Sequence, residues 1–135
     1  MTTKSVRIVL ILLGIFHAAN GLTMLAAPDF WYASVPGVVA HGPMNHHFIA
    51  DIGMAFLASG IGLLMALRTG PSAATFALAG ATFPALHALI HLWEWISDGI
   101  PTDPQQMLSD AVAVMLVSFV GFWLAWMWAR REGVV

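Results

Sequence analysis

Residues 47–96 read HFIADIGMAFLASGIGLLMALRTGPSAATFALAGATFPALHALIHLWEWI. Two apolar runs, 47–67 and 72–96, are separated only by Arg68, Thr69, Gly70 and Pro71. A helix needs about 20 mostly apolar residues to cross a bilayer, and each run supplies them. Four residues between two spans leave room only for a tight reversal, so the two helices must be antiparallel neighbours. Outward from this hairpin the pattern recurs, at 6–26 before it and at 105–129 after it. The reading is an all-α, four-helix transmembrane bundle that forms a single integral membrane domain over residues 1–135.

Composition excludes the other classes. Of the 135 residues, 59% are hydrophobic and 9% charged, with a mean hydropathy of +0.82. Soluble domains carry about a quarter charged residues, so this chain cannot face water all round, and its principal partner is the lipid bilayer. The absence of cysteine removes disulfides, thiolate metal sites and iron–sulfur clusters. A net charge of −2 without a basic block argues against nucleic-acid binding.

Local signals mark the span ends. Asn45 can cap the second span, and Pro71 suits the first turn of the third. Asp103, Pro104 and Gln106 read as an N-cap, a first-turn proline and a capping-box partner. Pro84 removes a hydrogen bond inside the third span and is expected to kink it. Lys4 and Arg7 ahead of an apolar run resemble a signal peptide, but the run is long and His17 interrupts it. It is read as a retained helix.

Orientation follows from charge. All five basic residues (Lys4, Arg7, Arg68, Arg130, Arg131) fall at one set of span ends, and the connections 27–45 and 97–104 contain none. The positive-inside rule then puts both termini in the cytoplasm of a bacterial inner-membrane protein. Trp31, Tyr32, Trp93 and Trp95 are expected in an outer aromatic belt, and Trp123, Trp126 and Trp128 in an inner one.

The ionisable residues within the spans then collect in the outer half. Asp51, His91 and Asp110 lie roughly 6–8 Å below the outer helix ends, and His17 and His87 roughly 13–14 Å below. His47 and Asp51 share one helix face at i and i+4, as do His87, His91 and Glu94 at i, i+4 and i+7. Packing of the second and third spans could bring these five together, with Asp110, His17 and Asn20 completing a ring. A charged residue at mid-span costs about 2.5–3.5 kcal/mol, and no Lys or Arg stands in the outer half to offset Asp51, Glu94 or Asp110. The carboxyls must be protonated, paired with protonated histidines, or bound to a cation.

Histidine and carboxylate sets on facing helices hold non-haem metals, so a transition metal (iron, copper or zinc) is expected on His47, Asp51, His87, His91, Glu94 and Asp110. Such a centre could serve redox or Lewis-acid chemistry on a small or lipid-soluble substrate. A metal-free polar network in an accessory subunit of a larger membrane complex is the alternative. Haem held between His17 and His87 is a third. His41 and His46 read as solvated, and the eight methionines as packing. The recurrence Ala73, Ala77, Ala81, Ala85 and the pair Ala58/Gly62 permit close helix approach, within the bundle or in a homo-oligomer. His17 and His87, with Asp51 and Asp110, also hint at a two-fold repeat of helix pairs.

At HGPMNHHFIADIG (residues 41–53) and HALIHLWEW (87–95) the chain resembles small four-span bacterial membrane proteins of the DoxX-like type. The resemblance covers the topology and the second and third spans. Because DoxX is linked to quinone-dependent sulfur oxidation, it implies an electron-transfer setting. It carries no catalytic motif over to this chain.

The topology is open to direct test. With Ser34 or Asp98 replaced by Cys, an impermeant thiol reagent applied to the periplasmic side is expected to label intact cells. Labelling that requires the cytoplasmic face to be opened would invert the orientation.

Overall fold

The computed structural model describes residues 1–135 and is helical from end to end of each span. Helix α1 spans Thr3–Ala26 and the short α2 spans Pro28–Ser34. Helix α3 spans His46–Leu64 and continues through a 3-10 turn, Met65–Leu67. Helix α4 spans Pro71–Ser97 and runs on through a buried Pro84. The fourth span has three parts: α5 at Pro104–Leu108, a π-helix at Ser109–Leu116 and α6 at Val117–Arg131. The four long helices, Thr3–Ala26, His46–Leu67, Pro71–Ser97 and Pro104–Arg131, are each long and apolar enough to cross a membrane.

The end signals act largely as expected. The Asn45 side chain accepts the Phe48 N–H at 3.1 Å, and Asp103 accepts those of Gln105 and Gln106 at 3.2 and 3.3 Å. Gln106 does not close the box; its side chain packs on Gly37, which stands at φ 88°. Arg7 donates to the Ala66 and Leu67 carbonyls at 2.9 and 3.1 Å, supplying partners to the open C-terminal end of the second span. Arg131 reaches the Met1 carbonyl. Both termini and the Arg68 turn therefore occupy one end of the bundle, the basic end.

Helices α1, α3, α4 and α6 form an up-and-down ring in which each packs on its two neighbours. The tightest seam is α1 on α3. A Cβ added at Gly21 would stand 2.5 Å from the Gly53 carbonyl oxygen, and one at Gly60 2.5 Å from the Ala18 nitrogen. Backbone meets backbone there, which only glycine allows. Gly14/Gly21 and Gly53/Gly60 both recur at seven residues, about two helical turns, so each pair keeps one face. Gly62 and Gly80 make the equivalent approach between α3 and α4.

Two cores result. The basic end holds a close-packed cluster in which Val6, Leu10, Leu63, Leu124 and Trp128 fill the space around Ala73, Ala77 and Ala81. The alanine ridge is thus internal, with Ala85 half-buried and Ala58 exposed. The opposite end holds only Met24, Ile49 and Phe56 as a buried apolar cluster.

Three of the tryptophans expected in the belts are partly or fully buried, and an indole N–H taken out of water needs an acceptor. Trp31 donates to Asn20 Oδ1 at 2.9 Å, Trp95 to Asp110 Oδ2 at 3.4 Å and Trp128 to Glu132 Oε1 at 3.0 Å. Trp128 is 1% exposed and belongs to the core. Tyr32 likewise donates to the Gly42 carbonyl at 2.6 Å. Trp93 and Trp123 remain exposed on the helix surface, and Trp126 lies under Arg130 at 5.0 Å.

The glycine seam carries a clear expectation. Gly60→Ala should lower the melting temperature in detergent by several degrees, in line with an overpacking cost of about 1–3 kcal/mol. Ala79→Leu, on an exposed face of α4, should leave it unchanged. Equal melting of Gly60→Ala and wild type would remove the seam from its structural role.

Candidate functional site: an aromatic cavity with a carboxylate wall

The sparse core at the end opposite the basic residues surrounds a cavity of about 890 Å³. Its floor and sides come from four spans and from the outer segment. Phe16 and His17 project from α1, Phe56 from α3, and Phe83, His87 and His91 from α4. The segment 27–45 does not hang free. Helix α2 and a 3-10 turn at Val38–His41 fold over this end, placing Trp31 and Tyr32 in the wall. The Trp31–Asn20 hydrogen bond fastens this roof to α1, and His46 Nε2 lies 3.5 Å from Asp29 Oδ1 on its exposed outer side.

The ring contacts form a continuous ladder. His17 stacks on Phe56 at a centroid distance of 5.7 Å, and Phe56 meets His87 edge-on at 5.5 Å. Phe83 stacks on His87 at 6.0 Å, and His87 meets His91 at 5.0 Å. At its outer end the ladder reaches carboxylates. His91 Nδ1 lies 3.3 Å from Asp110 Oδ1 and 3.8 Å from Glu94 Oε2. These are ion-pair distances out of line for a hydrogen bond, so His91 Nδ1 has no hydrogen-bond partner. His17 is 2% exposed, and its Nδ1 likewise has none.

Asp110 owes its position to the π-helix. Wide turns from Ser109 shift the register of the fourth span and set Asp110, 5% exposed, against His91 and Trp95. π-turns inside helices frequently mark functional positions. The sequence around Asp110 contains no proline or glycine that would announce one.

The six expected metal ligands separate into two groups. His87, His91, Glu94 and Asp110 all border the cavity. His47 and Asp51 do not: they pair with each other at 3.4 Å, with side chains 89% and 52% exposed, on a face of α3 turned away from the cavity. Helices α3 and α4 do pack together, but the face that meets α4 carries Gly62 rather than Asp51. Nowhere do three His, Asp or Glu side chains gather around a point at metal-ligand spacing. The expected haem pair fares similarly, since His17 and His87 both border the cavity but Phe56 is in ring contact with each of them. The two-fold echo stops at the aspartates, one exposed and one buried.

Sequence reasoning missed the glycine seam, the folded roof, the π-turn and the aromatic wall. The heptad recurrence of glycines was a visible signal, and Asn20 on an apolar helix was another. The roof and the π-turn had none.

Comparison with protein-family models, curated proteins and solved structures gives no match to this chain.

His17 offers a test of how the wall is built. A buried nitrogen without a partner costs about 1–3 kcal/mol. His17→Phe, which keeps the stack on Phe56, should hold or raise the melting temperature. A fall of several degrees would show that the imidazole makes a stabilising hydrogen bond.

Proposed function

We propose that this multi-pass membrane protein binds a small, lipid-soluble ligand in the cavity at the non-basic end of its bundle. By the charge asymmetry of its ends, that is the periplasmic half of a bacterial inner-membrane protein with both termini in the cytoplasm. The observation that carries the reading is the cavity itself. Ligand sites measure roughly 300–1,000 Å³ and combine an apolar, aromatic lining with a few convergent polar groups. This one has a volume of about 890 Å³, aromatic sides, and His87, His91, Glu94 and Asp110 along one wall.

Access supports a ligand that arrives through lipid. Phe16, Leu86 and Ile90 border the cavity yet remain 44%, 58% and 55% exposed. They lie well inside the spans, so the cavity opens sideways at bilayer depth. Helix α1 approaches α6 near the closed core, where Leu13 meets Gly121.

This reading keeps the expected location and the lipid-soluble substrate but assigns binding to the aromatic cavity rather than to a metal. His91, Glu94 and Asp110 are the only three of the expected ligands joined by ion-pair contacts at the cavity, and both contacts run through one imidazole nitrogen. A metal cage needs donors arranged around a shared point.

The test uses aminoanthracene, a neutral, lipid-soluble fluorophore, on the protein in non-ionic detergent. Saturable binding near one per chain is expected. Ala113→Trp, which fills the cavity, should abolish it, whereas Ala79→Trp on the lipid-facing side should not. Unsaturable partitioning, or equal binding by Ala113→Trp, would overturn the reading. Elemental analysis of the same preparation is expected to find iron, copper and zinc far below one per chain. A stoichiometric metal lost in His91→Ala would reinstate the metal centre.

A further inference from the structure

Resting on the cavity reading, we infer that the ligand this site selects is a lipophilic organic cation, such as an amine or a quaternary onium compound. Three independent features of the molecule converge on that chemistry.

The first is the sign of the charge. Six of the seven acidic residues (Asp29, Asp51, Glu94, Asp98, Asp103, Asp110) lie at the cavity end, and all five basic residues lie at the other. No Lys or Arg reaches the cavity wall. Glu94 and Asp110 both approach His91 Nδ1, and the other imidazoles bordering the same space are His17, His41 and His87. Histidine is the only basic residue type on this wall, so no permanently charged side chain supplies a counter-charge to either carboxylate. A cation bound in the cavity provides it.

The second is the route. Beside the main cavity lies a smaller outer crevice of about 340 Å³, bordered by Asp98 and Asp103 and sharing Glu94, Asp110 and His41 with the cavity. The two carboxylates therefore stand at the junction between an acidic vestibule and an aromatic chamber. An acid-lined cleft with low-dielectric walls concentrates cations locally.

The third is the chamber's chemistry. Phe16, Trp31, Tyr32, Phe56 and Phe83 present ring surface around the cavity. Aromatic faces attract cations through their quadrupoles, more strongly where water is excluded, and aromatic cages are the usual receptors for quaternary ammonium groups. The same rings accept the ligand's apolar bulk. His17, with its unpartnered Nδ1, borders the deep end with a further polarisable ring. A neutral ligand would supply the carboxylates no counter-charge. An anion would face two carboxylates with no basic side chain in reach.

Tetraphenylphosphonium and tetraphenylborate are alike in size and shape and opposite in charge, and triphenylphosphine oxide is a neutral relative. Each is titrated against bound aminoanthracene on the full-length protein in non-ionic detergent. Tetraphenylphosphonium is expected to displace the fluorophore at a concentration at least about tenfold lower than either of the others. Its advantage over the phosphine oxide should shrink by about tenfold in Asp110→Asn or Glu94→Gln. Asp51→Asn, outside the cavity, should retain that advantage. The wild-type comparison needs no variant to fold, and Glu94, the more exposed of the two carboxylates, gives a second substitution should Asp110→Asn unfold. If the neutral or anionic compound competes as well as the cation, or the preference survives both substitutions, the inference fails while the cavity reading stands. If aminoanthracene itself shows no saturable site, the cavity reading fails.

Discussion

The contact between α1 and α3 at Gly14, Gly21, Gly53 and Gly60 governs the rest of the molecule. In lipid there is no hydrophobic drive between helices, so association rests on van der Waals fit and interhelical polar contacts. Where glycines let two backbones touch, that fit is closest, and α1 is committed to α3 along most of its length. A helix that follows one neighbour so closely cannot follow the other equally. Helix α1 meets α6 near the basic end, at Leu13 and Gly121, and the space between α1 and the π-helical part of the fourth span is taken up by the cavity. The seam and the cavity are thus two consequences of one constraint.

The bundle divides into a close-packed half and a half that encloses the cavity. Around Trp128, small residues from α4 pack with large ones from α1 and α6, and Arg7 and Arg131 fasten the chain ends across that face. At the other end rings in edge and stacked contact line the cavity. Away from the helix ends, the ionisable side chains of the spans appear only there. An ionisable side chain inside a membrane is costly enough that its usual place is a bundle interior or a water-accessible cavity. Asp110 obeys this through His91 and Trp95, and Asp51 through the exposed end of α3, where His47 accompanies it.

Two irregular elements complete the site, and each is held by a few specific contacts. The roof formed by residues 27–45 is fastened by the Trp31 indole on Asn20, by the Tyr32 hydroxyl on Gly42, and by Gln106 packing on Gly37. The π-helix turns Asp110 inward, where an undistorted α-helix would present that position in a different register. Both lie at the end with the fewest buried apolar contacts, the region of a fold in which local opening is easiest.

Span number, span limits, the shared end of the two termini and the separation of charge were legible in the sequence. Each depends on a property summed over many residues, namely apolar run length, the five basic residues at one set of ends, and the caps at Asn45 and Asp103. Such sums survive without knowledge of neighbours. The polar wall was half legible: His87, His91 and Glu94 share a face because helical geometry alone requires it. Whether His47 and Asp51 join them depends on the rotation of α3 about its axis, and periodicity within one helix does not contain that angle. Backbone contact at the glycine seam fixes it, turning Gly53 and Gly60 toward α1 and Asp51 outward. The cavity, the ring of Phe56 against both His17 and His87, and the inward turn of Asp110 are likewise products of tertiary packing. They arise from the relative placement of separate helices, which no single segment encodes.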